Sequence, residues 1–289
     1  MSGGRIRGQK PPRGTTRPVT PPATVQALLP VGLLALAAIV RPLRLPILIA
    51  LAAAYLVVRR RETPFSQAIA GTLPVAAILA FGALPQPSAM PDASQCTDVL
   101  APPAVWRFFE AAVGLAVVAA VLHDRHERWR DLGVRLGSGR IALIAVAGLA
   151  IVTPLALVAA ALIGTELLGG SFFGTYRLDL SRPAALLPAL VFAASNGLAE
   201  EVAYRGALRV WLGPSLGVLG ANLAQALVFG LGHSGPDFVG SVAPVAVAMV
   251  TVGFVAGVIA RRTGSLTLPL AIHAAADIPI YYFWACRLA

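Results

Sequence analysis

Residues Gly197-Leu198-Ala199-Glu200-Glu201-Val202-Ala203-Tyr204-Arg205-Gly206 decide how this chain is read. Two adjacent carboxylates and an arginine stand inside an apolar run covering residues 184–212. A run of that length is a membrane-spanning helix by hydropathy, and an ionisable group at its centre costs about 2.5–3.5 kcal/mol on insertion scales. Charges kept at that cost need a structural or chemical reason. Helical spacing supplies part of it, because Glu201 and Arg205 are four residues apart, share a face and read as an ion pair. On an ideal helix Glu200 projects about 100° away from Glu201, so the two acids are expected to do different jobs. One pairs with the arginine while the other faces an internal cavity.

Composition extends this reading to the whole chain. Of 289 residues, 57% are hydrophobic and 12% charged, where a soluble domain carries about 25% charged residues. Too little polar surface remains to coat a water-facing globule. Apolar runs occur at 23–40, 43–58, 66–84, 101–122, 141–164, 184–212, 215–232, 240–260 and 265–285. Their continuity, without alternation, argues against a barrel. The expected fold class is an all-α polytopic membrane protein, a bundle of about eight or nine transmembrane helices with an intramembrane cavity. The first two runs are short and separated only by Arg41-Pro42-Leu43-Arg44, so a re-entrant pair is the alternative to two crossings.

The net charge of +10 sits at the ends of apolar runs, which makes it a topology signal rather than a nucleic-acid site. Arg5, Arg7, Lys10, Arg13 and Arg17 give residues 1–22 the character of a disordered basic cytoplasmic tail. Ala35-Leu36-Ala37 resembles a processing site, but a second apolar run follows at once, which favours an uncleaved anchor. Arg59-Arg60-Arg61, the loop 123–140 with its five arginines, Arg205 with Arg209, and Arg261-Arg262 all fall on the cytoplasmic side if nine helices cross. The segment 86–100 holds Asp92 and Asp98 but no lysine or arginine, as an outer loop should. Arg41 and Arg44 are the exception, since nine crossings place them outside. Cys96 and Cys286 also fall outside, where a disulfide can form, and their spacing offers no metal site. The expected organisation is the tail 1–22, N-terminal transmembrane helices over 23–140, and the helices that carry the buried ionisable residues over 141–289. The expected location is the cell membrane, multi-pass, with the N-terminus cytoplasmic.

Two further stretches carry chemistry: Phe229-Gly230-Leu231-Gly232-His233 and His273-Ala274-Ala275-Ala276-Asp277. Phe229 shares a face with His233, and His273 with Asp277. Peptide hydrolysis needs an activated water, a donor for the oxyanion and a proton source for the leaving amine. Two acids and two histidines can supply all of these. The same side chains could hold a divalent metal such as zinc, although the helical His-Glu-x-x-His pattern is absent, and the residues leave both options open. Plainer readings stand beside these. A lone buried histidine usually bonds a backbone carbonyl, and Arg107 with Glu110 reads as a structural pair. His123 and His126 read as part of a solvated loop, and Gly253 with Gly257 as helix packing. A proton-coupled transporter and a non-catalytic scaffold or immunity protein are the other functional classes, the former weakened by the lack of inverted repeats.

Taken together, Glu-Glu-x-x-x-Arg at Glu200, Glu201 and Arg205, Phe-x-x-x-His at Phe229 and His233, and His-x-x-x-Asp at His273 and Asp277 resemble the CPBP (Abi) intramembrane proteases, relatives of the type II CAAX prenyl endopeptidase. The flanks Tyr204-Arg205-Gly206 and Gly264-Ser265-Leu266 resemble the family as well. The resemblance covers residues 183–280. It implies a helical membrane fold with a conical cavity, in which Glu200 and His233 activate the water and His273 with Asp277 stabilises the oxyanion. Arg205 and Phe229 then give structural support. An ionised aspartate cannot donate to an oxyanion, so Asp277 must be protonated, orient His273 or bind a metal. The implied partners are the lipid bilayer and a peptide or lipidated protein, with no nucleic acid. A prenylated CAAX protein, a peptide precursor and another membrane protein are all open as substrates. A helix beginning at Ser215 would end at His233 about 26 Å further on, whereas Glu200 lies near mid-membrane. The turn Gly213-Pro214-Ser215 is therefore expected below the membrane surface.

Overall fold

The structure is a computed structural model that describes residues 21–84, 96–98, 100–149, 151, 182–234 and 242–285. The basic tail up to residue 20, Asp92, Cys286 and most of the run 141–164 lie outside the described residues. Among the described residues every regular element is helical. These are α1 (Pro21–Ile39), α2 (Arg44–Val58), α3 (Pro64–Phe81), α4 (Pro102–Asp124), α5 (Gly139–Leu149), α6 (Leu186–Glu200), α7 (Arg209–Gly232), α8 (Val242–Thr263) and α9 (Thr267–Ala285). A π-helical stretch, Glu201–Leu208, joins α6 to α7. Among the described residues five stretches are long and apolar enough to cross a membrane: Arg41–Val58, Pro64–Phe81, Pro102–Asp124, Pro183–Gly232 and Val245–Thr263.

Local chemistry sets the helix starts. Thr63 caps α3 by accepting from the Ser66 N–H, while Ser66 Oγ accepts from the Thr63 N–H, and Pro64 follows at the first helical position. Every residue of α3 from Ala68 to Ala80 is buried, as expected of a helix that is apolar on all sides. α1, α2, α4, α7 and the π-helical stretch surround it. Gly71 permits the close approach of the π-helical stretch, since a Cβ there would lie 3.3 Å from Leu208 Cα. Large apolar side chains such as Leu29, Val57, Leu143, Leu219 and Val247 point outward, the arrangement a lipid-facing surface requires.

Contacts sort the helix ends onto two faces. At one face Tyr55 Oη donates to Asp124 Oδ2 (2.9 Å), Arg59 pairs with Asp124 (2.9 Å) and Trp211 Nε1 donates to Glu127 Oε2 (2.7 Å). The Leu266 N–H donates to Gly133 O at the same end (2.9 Å), and Gly264, at φ +63°, makes the turn between α8 and α9. At the opposite face Tyr281 Oη donates to Cys96 O (2.9 Å). Cys96 is disulfide-bonded; the expected partner, Cys286, lies outside the described residues.

Two expectations change. The fold reverses at Gly217 (φ +70°, ψ 173°), with Pro214 still inside the helix, rather than at residues 213–215. Glu200 lies seventeen residues before Gly217 and His233 sixteen after it, so two arms of similar length bring His233 back to the level of Glu200. The apparent depth mismatch disappears. Arg44, which fitted the outer side poorly, is buried and donates to Ala37 O (3.2 Å) and Ala38 O (3.3 Å). It satisfies the terminal carbonyls of α1 and is not a free outer charge.

Candidate active site

Helices α6 and α9 pack antiparallel, and the contacts between them form a ladder with a step of four residues on each helix. Phe192 meets Tyr281 with ring centroids 5.6 Å apart. One turn on, Asn196 Nδ2 donates to Asp277 Oδ2 (2.9 Å). On the next turn Glu200 Oε2 lies 3.5 Å from His273 Nε2. Gly197 allows this closeness, since a Cβ there would sit 3.2 Å from Leu270 Cδ1 and 3.6 Å from Ala274 N.

The π-helical stretch begins directly after Glu200. Wider i→i+5 winding is common at functional sites, and it reduces the angle between successive side chains. Glu200 and Glu201 consequently reach the same imidazole, despite the 100° expected of an ideal helix. They reach it from different sides: His273 Nδ1 donates to Glu201 Oε1 (2.8 Å), while Nε2 faces Glu200 and, at 3.6 Å, Asp277 Oδ2. The division of labour between the acids survives. Glu201 is 1% exposed and its Oε1 also lies 3.3 Å from Arg205 Nη1. Arg205 is fully buried, with its guanidinium carbon 4.0 Å above the Phe229 ring. The order Phe229, Arg205, Glu201, His273 is thus a stack in which each member fixes the next.

His233 enters beside this stack. Its Nδ1 lies 2.7 Å from Phe229 O, and since a carbonyl only accepts, Nδ1 carries the proton and Nε2 is the acceptor nitrogen. The Phe229 ring is 4.4 Å from the His233 ring and 6.2 Å from the His273 ring. Tyr204 closes the group, edge-on to Phe229 at 5.2 Å.

The structure therefore brings Glu200, Glu201, Arg205, Phe229, His233, His273 and Asp277 into one centre. His123 and His126 are exposed at the helix ends, as a solvated loop would have them. Sequence reading missed Asn196, although its position four residues before Glu200 on an apolar helix was a usable signal. It also missed that Arg107 and Glu110, paired at 2.5 Å, belong to the same neighbourhood: Arg107 interacts electrostatically with Glu200, Asp277 and His233. Among the described residues no three His, Cys, Asp or Glu side chains are arranged as ligands of one metal ion.

The fold and this centre define a multi-pass helical membrane protein with acids and histidines gathered between its helices. Residues 182–279 match the family described as Type II CAAX prenyl endopeptidase Rce1-like. That segment, about a third of the chain, holds every motif residue quoted above, and the match agrees with the resemblance read from those motifs. No curated protein and no solved structure matches the chain.

Proposed function

We propose that this protein is an intramembrane endopeptidase that hydrolyses a peptide bond of a membrane-associated peptide or lipidated protein with a water activated by Glu200. The observation that carries the reading is the buried Glu200 Oε2, which accepts no hydrogen bond among the described residues. An unsatisfied carboxylate oxygen in an apolar interior is costly, and it is where a base needs room for its water. In this reading Glu200 takes a proton as the water oxygen attacks the carbonyl carbon, with His233 Nε2 holding the water from the other side. His273 donates to the oxyanion through Nε2. Glu201 fixes that ring through Nδ1, and Asp277, held by Asn196, orients it. Collapse of the tetrahedral intermediate breaks the C–N bond, and the proton held by Glu200 passes to the leaving amine.

The same reading assigns residues 1–22 to a cytoplasmic tail, 23–140 to supporting helices and 141–289 to the catalytic part. Nine crossings are supported by the sharing of one face by Arg59, Asp124, Trp211 and the 133–135 and 264–267 turns. The test compares protein termini in host membranes of wild type and a chromosomal Glu200→Gln variant at equal abundance. Loss of specific termini, with cleavage reduced about 10²–10⁴-fold, is the expected result. Unchanged termini with folded protein present would remove proteolysis and return the transporter and scaffold readings.

A further inference from the structure

We propose that Arg135, Arg209, Arg261 and Arg262 form a binding site for the phosphate headgroup of an anionic phospholipid at the arginine-rich face of the bundle. The proposal goes beyond the endopeptidase reading and does not depend on it.

Packing assembles the site from three distant segments. A Cβ at Gly206 would lie 3.3 Å from Leu132 O and 3.6 Å from Leu266 Cδ1, so the π-helical stretch, the loop 132–135 and the α8–α9 turn meet there. Each of them brings arginines. Arg209 follows Gly206 by one turn, and its Nε donates to Arg205 O (2.8 Å). Arg135 is held across the α8–α9 turn, its Nε donating to Gly264 O (2.7 Å), while Ser265 Oγ donates to Arg135 O (2.6 Å). Arg261 and Arg262 close α8 directly before that turn, and both are exposed.

Charge separates this group from the other arginines of the same face. Arg59 pairs with Asp124, Arg125 with Glu127 and Arg130 with Asp131, which engages all three acids of the loop 123–140. Among the described residues no carboxylate pairs with Arg135, Arg209, Arg261 or Arg262. The half-buried Arg209 instead meets the charge of a second cation, Arg261. Like charges gathered at a low-dielectric boundary repel. Membrane orientation calls for arginines on this face but not for their convergence on one turn. An anion between them removes the repulsion, and guanidinium forks match the oxygens of a phosphate.

The surroundings favour a lipid as the source of that phosphate. Arg209 lies nine residues beyond Glu200, about 13 Å along the helix, and the apolar half of a bilayer is about 15 Å deep. With Glu200 at mid-membrane, Arg209 stands at headgroup level. Leu136, next to Arg135, is 85% exposed, and Val255, two turns before Arg262 on the same face of α8, is exposed as well. Acyl chains cover such side chains favourably and water does not. Basic pockets between membrane helices hold lipid headgroups in this way.

The test titrates full-length protein in dodecylmaltoside with dioctanoyl phosphatidylglycerol, dioctanoyl phosphatidylcholine or sodium phosphate, and reads affinity from the rise in the thermal unfolding midpoint. Phosphatidylglycerol should stabilise saturably and bind about 10-fold or more tightly than phosphatidylcholine, whose choline cation the arginines repel. Inorganic phosphate at the same concentrations should leave the midpoint unchanged. Arg261→Gln and Arg209→Gln should each abolish the preference, and Arg209→Lys should retain part of it. Arg261 is exposed, so its variant carries the test if loss of the bond to Arg205 O prevents Arg209→Gln from folding. The Arg60→Gln/Arg61→Gln double variant removes two exposed charges from the same face and should keep the preference. Equal affinity for the two lipids, a preference that survives Arg261→Gln, or an equal loss in the Arg60→Gln/Arg61→Gln variant overturns the site. Stabilisation by phosphate alone as large as that by phosphatidylglycerol overturns the lipid as its occupant.

Discussion

Two antiparallel helix pairs lie side by side in this bundle, and both bury polar groups, yet they handle them in opposite ways. Between the second arm of α7 and α8, glycines bring the backbones together: a Cβ at Gly253 would lie 3.2 Å from Ala226 Cα, and one at Gly257 would collide with the Asn222 side chain. The amide nitrogens there are turned onto neighbouring acceptors, while the neutral Gln225 Oε1 has no donor among the described residues. Gln225 Nε2 donates to Gly253 O (2.8 Å), and Asn222 Nδ2 donates to Phe254 O (3.1 Å). Between α6 and α9 the polar groups are ionisable apart from the Asn196 amide, and Glu200 Oε2 lacks a donor among the described residues. The first interface uses polarity as glue, as small-residue packing in membranes generally does. The second keeps a charged group under-satisfied, which is the condition for acting on something else. Polarity in a membrane helix does not by itself mark chemistry; an ionisable group left without a partner does.

The comparison breaks most severely at Arg205. Its removal leaves the buried Glu201 with His273 alone as its partner, and breaking a buried pair in this way costs about 3–5 kcal/mol. Arg205→Ala should therefore lower the unfolding midpoint in detergent and abolish cleavage together. A variant that keeps its midpoint but loses activity would show that Arg205 acts on substrate rather than through Glu201. Next in size is Gly257→Ala, whose added methyl meets Asn222 and should cost about 1–3 kcal/mol with cleavage per folded molecule unchanged. Combining it with Asn222→Ala should restore part of that loss. Strict additivity of the two substitutions in a double-mutant cycle would mean that the α7–α8 approach does not depend on this pair.

What the sequence could and could not convey follows the same division. Every apolar run carries helix in the described residues, because hydrophobic continuity over about twenty residues is local information. The i,i+4 pairs were equally legible: Glu201 with Arg205, and His273 with Asp277, meet as one helix face requires. The convergence of Glu200 and Glu201 on one ring was not legible, because π-winding is settled by packing rather than by residue type. Nor was the equal-armed reversal at Gly217, since Gly213-Pro214 is the stronger turn signal and only tertiary context keeps Pro214 inside a helix. Arg107 was read as a structural pair with Glu110 because that pairing is local. Its approach to α6 depends on how two distant segments dock.

Asn196 gives the smallest and sharpest test, because it belongs to both sides of the comparison: it is an amide like Asn222, placed in the ladder with the acids. If it were glue, Asn196→Ala would cost about 0.6 kcal/mol, the average for an interhelical hydrogen bond in a membrane, and nothing more. Here its acceptor is Asp277, which lies 3.6 Å from His273 Nε2, so losing the amide frees a carboxylate to rotate toward that ring. A small stability change should then accompany a fall of about 10-fold in kcat with KM nearly unchanged. Asn196→Asp should be worse than alanine in both respects, since it sets a fourth carboxylate against Asp277, whereas Asn196→Gln should recover part of the rate. Equal activity for the alanine variant and wild type would place Asn196 with Asn222 and leave the orientation of His273 to Glu201 alone.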